Sequence, residues 1–206
     1  MTKVAVHPAN ASQGPTSRLQ ILPVETGRDE RRFLELPWKL HRDDPNWVPP
    51  LRQNQKKMVN FIPHPFYEVN RIQTFLALVD DEPVGRIAAI VNKAHNERYK
   101  ENRGFVGFFE SIDDQEVADG LFGAAAQWLA KQGMTDVRGP MNPSMNHECG
   151  LLIEGFDRAP TFMMTYNPPY YPALWESFGF EKVEDMVAFW GHIDMLATHL
   201  GLCSDE

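Results

Sequence analysis

A long amphipathic helix is the feature of this sequence that most restricts its fold. Across residues 111–132, apolar side chains recur at three- and four-residue spacing, acidic residues come first, and Gly133 supplies a C-terminal stop. An apolar stripe of that length must pack against another layer of structure. Because residues 135–138 follow as a short β-rich run, we predict that this layer is a sheet and that the chain is an α/β protein.

The rest of the predicted sheet comes from short runs rich in β-branched and aromatic residues. Residues 72–79 and 84–91 form an antiparallel hairpin, and residues 105–110 form the strand that precedes the long helix. Three further strands are predicted, at residues 19–24, at residues 161–166, and around Val187 and Phe189.

Charge and hydropathy exclude several classes of function. The net charge is −8 and no run of Lys or Arg offers a basic face, so we expect no nucleic-acid partner and no anionic membrane surface. No apolar run approaches the ~20 residues that a membrane span needs. Residues 1–17 lack a secretory signal and are predicted to be a disordered leader, residues 18–192 a single domain, and residues 193–206 a tail. We therefore expect a cytoplasmic protein.

A polar segment over residues 139–157, GPMNPSMNHECGLLIEGFD, is the predicted binding site. Asn142, Ser144 and Asn146 alternate along it, so in extended backbone their side chains face one side together and bind a polar substrate. The same residues suit a different role, in which Asn142 and Ser144 cap a short helix. His147 extends the predicted substrate contacts, and Trp47 in the connector of residues 41–50 is predicted to cover the site.

Two other chemistries compete for the same segment. His147 and Cys149 are two residues apart and face one side as a potential nucleophilic pair, although such pairs normally come from separate segments. Together with Glu148 they also offer metal-ligand atoms, but no second pair at metal-site spacing accompanies them. We expect neither, and so no metal.

The end of the domain resembles a known superfamily. Residues 167–180, NPPYYPALWESFGF, are predicted to be a helix that begins at Asn167 and Pro168, ends at Gly179 and is followed by the apolar Phe180. This ending and the order of elements resemble the GNAT superfamily of N-acetyltransferases over roughly residues 18–190. The phrases DPNWVPP, GFFESIDD, GPMNPS and YNPPYY resemble a group of bacterial GNAT-like proteins whose chains are often longer.

The resemblance implies a mixed, mostly antiparallel central sheet with flanking helices, and an acyl-CoA donor such as acetyl-CoA. The donor's pantetheine arm would lie between two splayed parallel strands, residues 105–110 and 135–138, with its pyrophosphate at the N-terminus of the long helix. The implied cofactor contacts are Phe109, Glu110, Gln115, Gly120 and Asn167.

The sequence departs from the superfamily pattern at the pyrophosphate cradle. Counting from Gln115, the first cradle glycine is replaced by Ala118 and only Gly120 remains. Asp114 and Glu116 are among the carboxylates of the first helical turn, and these repel a pyrophosphate while satisfying the helix dipole. We therefore expect weak coenzyme A binding, or help from basic groups such as Arg86 and Arg138.

A second departure concerns the proton donor for the leaving thiolate. Many superfamily members place a tyrosine four residues before the Gly-Phe pair, where this chain has Trp175. Indole does not donate a proton usefully at neutral pH, so Tyr170, Tyr171 or the Cys149 thiol would have to substitute. The candidates for the general base, which accepts the proton of the attacking amine, are Glu148 and His147, and we expect Glu148.

These observations leave two functions open. The first is an N-acyltransferase that moves an acyl group from acyl-CoA to an amine of a small molecule or peptide. The second is a non-catalytic GNAT-like module that binds a small polar ligand or a partner chain. An unpaired edge strand near the end of the chain also permits a homodimer.

Overall fold

The computed structural model describes residues 2–5, residues 19–189 and residue 191. The strands are β1 Thr2–Ala5, β2 Leu19–Pro23, β3 Arg71–Val79, β4 Glu82–Val91, β5 Arg103–Ser111, β6 Asp136–Gly139, β7 Met141–Asn142, β8 Glu148–Cys149 and β9 Glu181–Lys182. The helices are α1 Gly27–Leu40, α2 Arg52–Met58, α3 Lys93–Tyr99, α4 Gln115–Lys131 and α5 Tyr171–Phe178, with a short 3₁₀ helix at Pro65–Glu68.

Seven of these strands form one sheet in the order β2-β3-β4-β5-β6-β1-β9. All described neighbours are antiparallel except β5 and β6, which pair in parallel from Arg103 to Phe105 against Asp136 to Arg138. The predicted α/β class and the mixed, mostly antiparallel sheet are therefore confirmed. Strands β7 and β8 pair with each other in a separate two-stranded ribbon.

Apolar clusters cover both faces of the sheet. On one face, α4 buries Val117, Leu121, Ala125 and Leu129, which recur at four-residue spacing and pack with α5 in one cluster. On the other face, α1 and α2 contribute Phe33, among others, to a second cluster. The long helix predicted from periodicity is confirmed, and it begins at Gln115 because the Asp114 side chain caps it.

Two predicted strands are wrong. Residues 161–166 form a turn and extended loop without a ladder, and Phe162 is 92% exposed. Residues 183–189 also lack a ladder, and Phe189 is 94% exposed, because the final strand β9 pairs directly after Phe180 returns to the core. Apolar β-prone residues alone did not distinguish an exposed loop from a strand at these positions.

The predicted leader and tail fall mostly outside the described residues. Of the leader, the structure describes only residues 2–5, and these form β1 between β6 and β9 instead of a disordered segment. The backbone hydrogen bonds that an inner strand offers on both sides explain why so short a run pairs. The tail of residues 193–206 lies outside the described part. No helix within the described residues has the length and apolar character to cross a bilayer.

Gly107 allows a close contact that positions the site. A Cβ added there would overlap the backbone carbonyl oxygen of Met141, at the first residue of β7. We predict that Gly107→Ala lowers the free energy of unfolding by about 2–3 kcal/mol, because one of the two backbones must move. Urea denaturation followed by circular dichroism measures this.

Gly123 in α4 is the matched control, since a Cβ there meets nothing within 4 Å. Gly123→Ala should raise the free energy of unfolding by up to about 1 kcal/mol, because alanine has the higher helix propensity. Equal effects of the two substitutions would contradict the proposed contact at Gly107.

Candidate active site

A cleft opens where β5 ends, between the β7–β8 ribbon and α5. The connector of residues 41–50 and the loop of residues 150–167 close its other sides, and its enclosed volume is about 110 Å³. Two hydrogen bonds join the two closing segments. Asn46 Nδ2 donates to the Phe156 carbonyl (3.1 Å), and the Tyr166 hydroxyl donates a short hydrogen bond to Asp44. The lining side chains with chemistry are Trp47, Arg86, Glu110, Asn142, Glu148, Tyr166, Asn167, Tyr171 and Trp175.

A β-bulge in β5 shapes the mouth of this cleft. The register of β5 against β4 shifts near Gly107, and Phe108 takes a left-handed backbone conformation with φ of 52°. The shift lets Phe105 and Phe108, three residues apart, pack in the same cluster. The Phe108 N–H donates to Asn142 Oδ1 (2.6 Å), so an amide side chain of β7 fixes the bulge.

The carboxylate of Glu110 lies at the centre of a buried polar network. Its Oε2 is 2.8 Å from His41 Nε2 and accepts the Tyr171 hydroxyl at 2.8 Å. Its Oε1 is 3.5 Å from Arg86 Nη2, and that guanidinium also donates to the Phe33 carbonyl at 2.9 Å. Burial alone would raise the pKa of Glu110, but the His41 hydrogen bond and the Arg86 charge outweigh it and lower the pKa. Glu110 is therefore an ionised, fully bonded carboxylate.

Both tyrosines that the sequence predicted as acids already donate their protons. Tyr171 is buried in the cleft wall, and burial together with the charge of Glu110 holds its pKa well above the usual range. Tyr170 lies beside it, but its hydroxyl donates to the Ser111 carbonyl (2.7 Å), and burial raises its pKa to about 12. The structure brings Tyr171 into the cleft and leaves Tyr170 behind the wall.

Glu148 is the second carboxylate of the cleft and has the opposite electrostatic character. It sits opposite Asn142 in the β7–β8 ribbon. Desolvation raises the pKa of Glu148, the negative charge of Glu110 raises it further, and the hydrogen bond with Asn142 only partly offsets this. A carboxyl group with a raised pKa exchanges a proton more readily near neutral pH than an ordinary one.

The remaining predicted substrate contacts lie outside the cleft. Ser144 Oγ is 3.0 Å from His147 Nδ1 and accepts the Asn146 N–H at 3.3 Å, so the three residues stabilise the turn between β7 and β8. The expected alternation failed because residues 143–147 form bends and a turn, not extended backbone. Burial also raises the pKa of Cys149, which is the opposite of an activated nucleophile. No group of three His, Cys, Asp or Glu side chains suited to a metal occurs in the described residues.

Three predicted contacts lie in the cleft wall but have structural bonds of their own. Asn167 accepts the Leu152 N–H (2.7 Å) and donates back to the Leu152 carbonyl, which holds the loop against α5. Phe109 stacks on Phe122 at 4.8 Å in the core. Trp47 packs edge-on against Trp38 of α1 and lines the cleft, and its role in covering a substrate stays a prediction.

The start of α4 does not fit a pyrophosphate. The Asp114 carboxylate already accepts the Glu116 N–H (2.8 Å) and the Val117 N–H (3.3 Å). Gln115 donates to Asp119 Oδ1 and to a carbonyl of α5. Gly120 packs so close to β2 that an added Cβ would lie only 2.9 Å from the Ile21 side chain. The expected help from Arg86 is also wrong, because its guanidinium is buried in the Glu110 network.

The sequence analysis missed two residues of the site, His41, which bonds to Glu110, and Tyr166, which lines the cleft. His41 follows α1, and Tyr166 lies in the segment that we predicted to be a strand. Their partners, Glu110 and Asp44, are 69 and 122 residues away in the chain. No local pattern carries that information.

The fold is that of the GNAT superfamily. A tandem GNAT protein from the clavulanic acid biosynthesis pathway aligns with a TM-score of 0.51 and 14% identity over 79% of this chain and 43% of that one. An aminoglycoside acetyltransferase from an uncultured soil metagenomic sample aligns with a TM-score of 0.48 and 14% identity, over 85% of this chain and 95% of that one. No protein-family model matches. The resemblance found in the sequence is thus confirmed at the level of the fold.

Two bacterial proteins are similar in sequence. Protein YghO of Escherichia coli is 39% identical over 162 residues, which cover 79% of this chain and 41% of that protein. A bacterial ceramide synthase of Caulobacter vibrioides is 36% identical over 173 residues, 83% of this chain and 45% of that one. The chain spans less than half the length of either relative.

Replacing Glu110 tests how much its buried network contributes to the stability of the fold. We expect Glu110→Gln to lower the free energy of unfolding at pH 7 by about 3 kcal/mol, because Arg86 keeps a buried charge without its counter-ion. The pKa of Glu110 is lowered in the folded state, so the native advantage is present above the unfolded carboxyl pKa of about 4.3 and is lost as the pH falls through the folded value. Urea titrations at pH 7 and pH 3 measure both.

The matched control is Glu35→Gln, whose partner Arg31 is exposed on the surface of α1. That substitution should change stability by less than about 0.5 kcal/mol at either pH. A comparable loss of unfolding free energy in both variants would show that the buried network of Glu110 stabilises the fold no more than an exposed ion pair does.

Proposed function

We propose that this chain is an N-acyltransferase domain that transfers an acyl group from acyl-CoA to the amine of a long-chain, amphiphilic acceptor. The observation that carries the proposal is a pair of carboxylates in one cleft whose pKa values are displaced in opposite directions. The pKa of Glu110 is lowered and the pKa of Glu148 is raised. Such divergence separates a structural anion from a group that exchanges protons.

Glu148 is the proposed general base. The acceptor amine loses a proton to its carboxylate, either directly or through a water molecule, as the amine nitrogen bonds to the thioester carbonyl carbon. The carbon–sulfur bond then breaks and the sulfur leaves as coenzyme A, which takes up the proton. Acyl-CoA supplies the activated carbonyl, and this chain orients the amine and moves the proton.

Glu110 is a positioning residue and not the base. Three donors already stabilise its ionised form, so protonating it would break the bonds that hold His41 and Tyr171 in the wall. A tyrosinate formed at Tyr171 would lie next to that carboxylate, which makes Tyr171 a poor acid. The geometry therefore supports departure of the thiolate without a proton from tyrosine. The role of Tyr170 or Tyr171 as the acid, predicted from the sequence, stays an untested prediction.

The rim of the cleft supports an amphiphilic acceptor. Val48 and Met164 line the cleft and are 54% and 39% exposed. A few residues away in the chain, Leu51 is 79% exposed and Phe162 is 92% exposed. Large apolar side chains clustered on the segments around one opening are typical of sites that receive apolar groups. One similar protein is a ceramide synthase, and ceramide is the amide of a long-chain amino alcohol.

Several finer expectations stay predictions. Acetyl-CoA as the particular donor, a cytoplasmic location and a homodimer formed through an edge strand are among them. The fold supports the use of acyl-CoA, while the capped start of α4 does not support the usual pyrophosphate contact.

A turnover assay tests the proposed base. With hexanoyl-CoA and sphinganine, we expect release of free coenzyme A whose kcat/KM rises with pH through the raised pKa of Glu148 and then levels off, because the deprotonated form is active. Glu148→Gln should reduce kcat at least about 100-fold. Glu154→Gln, which alters an exposed glutamate in the adjacent loop, is the control and should retain full turnover. Turnover of Glu148→Gln equal to that of the native chain at every pH would remove Glu148 from this role.

A second assay tests the apolar rim. Phe162→Ser should raise the KM for sphinganine about tenfold, because burying one phenylalanine against a hydrocarbon chain contributes about 1.5–3 kcal/mol. The KM for a short amine such as ethanolamine should not change. Tyr99→Ser, which removes a ring 60% exposed at the opposite end of β5, is the control. An equal effect on both amines would contradict an amphiphilic acceptor.

The alternative is a GNAT-like module that binds a ligand without catalysis, and the acidic cap of α4 favours it. Asp114 occupies the N–H groups on which a pyrophosphate would depend. Calorimetric titration with acetyl-CoA and coenzyme A at low ionic strength separates the two, because a charged ligand then binds best. Saturable binding supports the transferase, and no heat up to millimolar ligand supports the module.

A further inference from the structure

Several polar donors in the described cleft wall already have acceptors. The hydroxyl of Tyr171 donates to Glu110 and that of Tyr166 to Asp44. The Asn167 amide donates to the carbonyls of Leu152 and Pro168, and the Thr165 hydroxyl to the Gly150 carbonyl. The bulge N–H of Phe108 is bound to Asn142.

Two buried nitrogen atoms of cleft-lining residues, Trp175 Nε1 and Arg86 Nε, have no hydrogen-bond partner in the described part of the chain. The Arg86 guanidinium already donates through its other nitrogens to Phe33 and Glu110. The Trp175 N–H is the only hydrogen-bonding group of its side chain and is left without an acceptor. Trp175 is 1% exposed, so bulk water does not satisfy it.

The surroundings of Trp175 define what can bind its N–H. Its ring packs against Phe109 and Phe180, with centroids at 5.6 and 4.6 Å, so the wall there is apolar. The cleft also holds the carboxyl groups of Glu110 and Glu148, whose negative charge disfavours an anion. A neutral donor in apolar, negatively biased surroundings suits a neutral acceptor such as a carbonyl oxygen.

We propose that the indole N–H of Trp175 donates a hydrogen bond to the thioester carbonyl oxygen of the acyl donor. The proposal rests on the proposed function, since it needs an acyl-CoA in the cleft. It makes Trp175 a binding residue that carries no proton, in place of a group that would protonate the leaving sulfur. The same hydrogen bond strengthens as negative charge develops on the oxygen during attack by the amine.

Nuclear magnetic resonance on the native chain tests the hydrogen bond without altering the wall. The probes are coenzyme A, which lacks a carbonyl at its sulfur, and S-acetonyl-CoA, which carries a ketone and cannot transfer an acyl group. The Trp175 indole signal is assigned by its absence from the spectrum of Trp175→Phe. We expect both probes to bind, and S-acetonyl-CoA alone to move the Trp175 proton downfield.

A matched pair of variants gives a second measurement. Trp175→Phe and Trp175→Tyr leave nearly the same gap in the core, but only the tyrosine offers a donor. We expect Trp175→Phe to weaken S-acetonyl-CoA binding about five- to tenfold relative to the native chain, and Trp175→Tyr to recover part of that loss. Trp128→Phe, which alters a half-buried tryptophan of α4 outside the cleft wall, should bind as the native chain does.

The outcomes separate this inference from the proposed function. If both probes bind and the Trp175 signal responds to both alike or to neither, the inference is overturned and the acyltransferase proposal stands. If neither probe binds the native chain, both proposals are overturned. If Trp175→Phe fails to fold, the spectrum of Trp175→Tyr supplies the assignment, because it also lacks the Trp175 indole signal, and a selective shift with S-acetonyl-CoA then still supports the inference.

Discussion

The carboxylate of Glu110 is the interaction on which the rest of the site depends. It joins the end of α1 through His41, strand β4 through Arg86 and helix α5 through Tyr171, so one anion holds three elements around the end of β5. Each partner is buried, and the loss of any one would leave a polar group without compensation in a region of low dielectric. The cleft therefore keeps its shape through charge and hydrogen bonding as well as through apolar packing.

A second carboxyl group in the same cleft, that of Glu148, has its pKa raised instead of lowered, and this asymmetry gives the site its chemical character. Glu148 is held by a short ribbon whose Asn142 side chain also fixes the β5 bulge. The position of the candidate base therefore depends on the ribbon and on the β5 bulge, which are joined through Asn142. Close contact at Gly107 sets the distance between the ribbon and the sheet.

Agreement between the fold and the expected donor is incomplete. Trp175 lines the cleft and has an unpaired N–H, which we propose binds the acyl carbonyl, yet the start of α4 presents Asp114 where a pyrophosphate would need free N–H groups. An anion at that helix end would have to displace the Asp114 carboxylate. Because Asp114 is part of the chain, its binding to the helix N–H groups costs less entropy than the binding of a free anion. Under the proposed function, different groups of this chain would therefore bind the acyl end and the phosphate end of the donor.

The sequence by itself determined the elements whose signal is local. The periodicity of α4, the hairpin β3–β4, the Gly179 stop of α5 and the return of Phe180 follow from neighbouring residues, and the structure confirms them. Only the tertiary structure decided that Ser144, Asn146 and His147 form a turn, that His41 meets Glu110 across 69 residues, and that two similar carboxyl groups have opposite pKa shifts. The physical reason is that propensity depends on adjacent residues, whereas a pKa and a binding surface depend on burial and on charges brought together from distant parts of the chain.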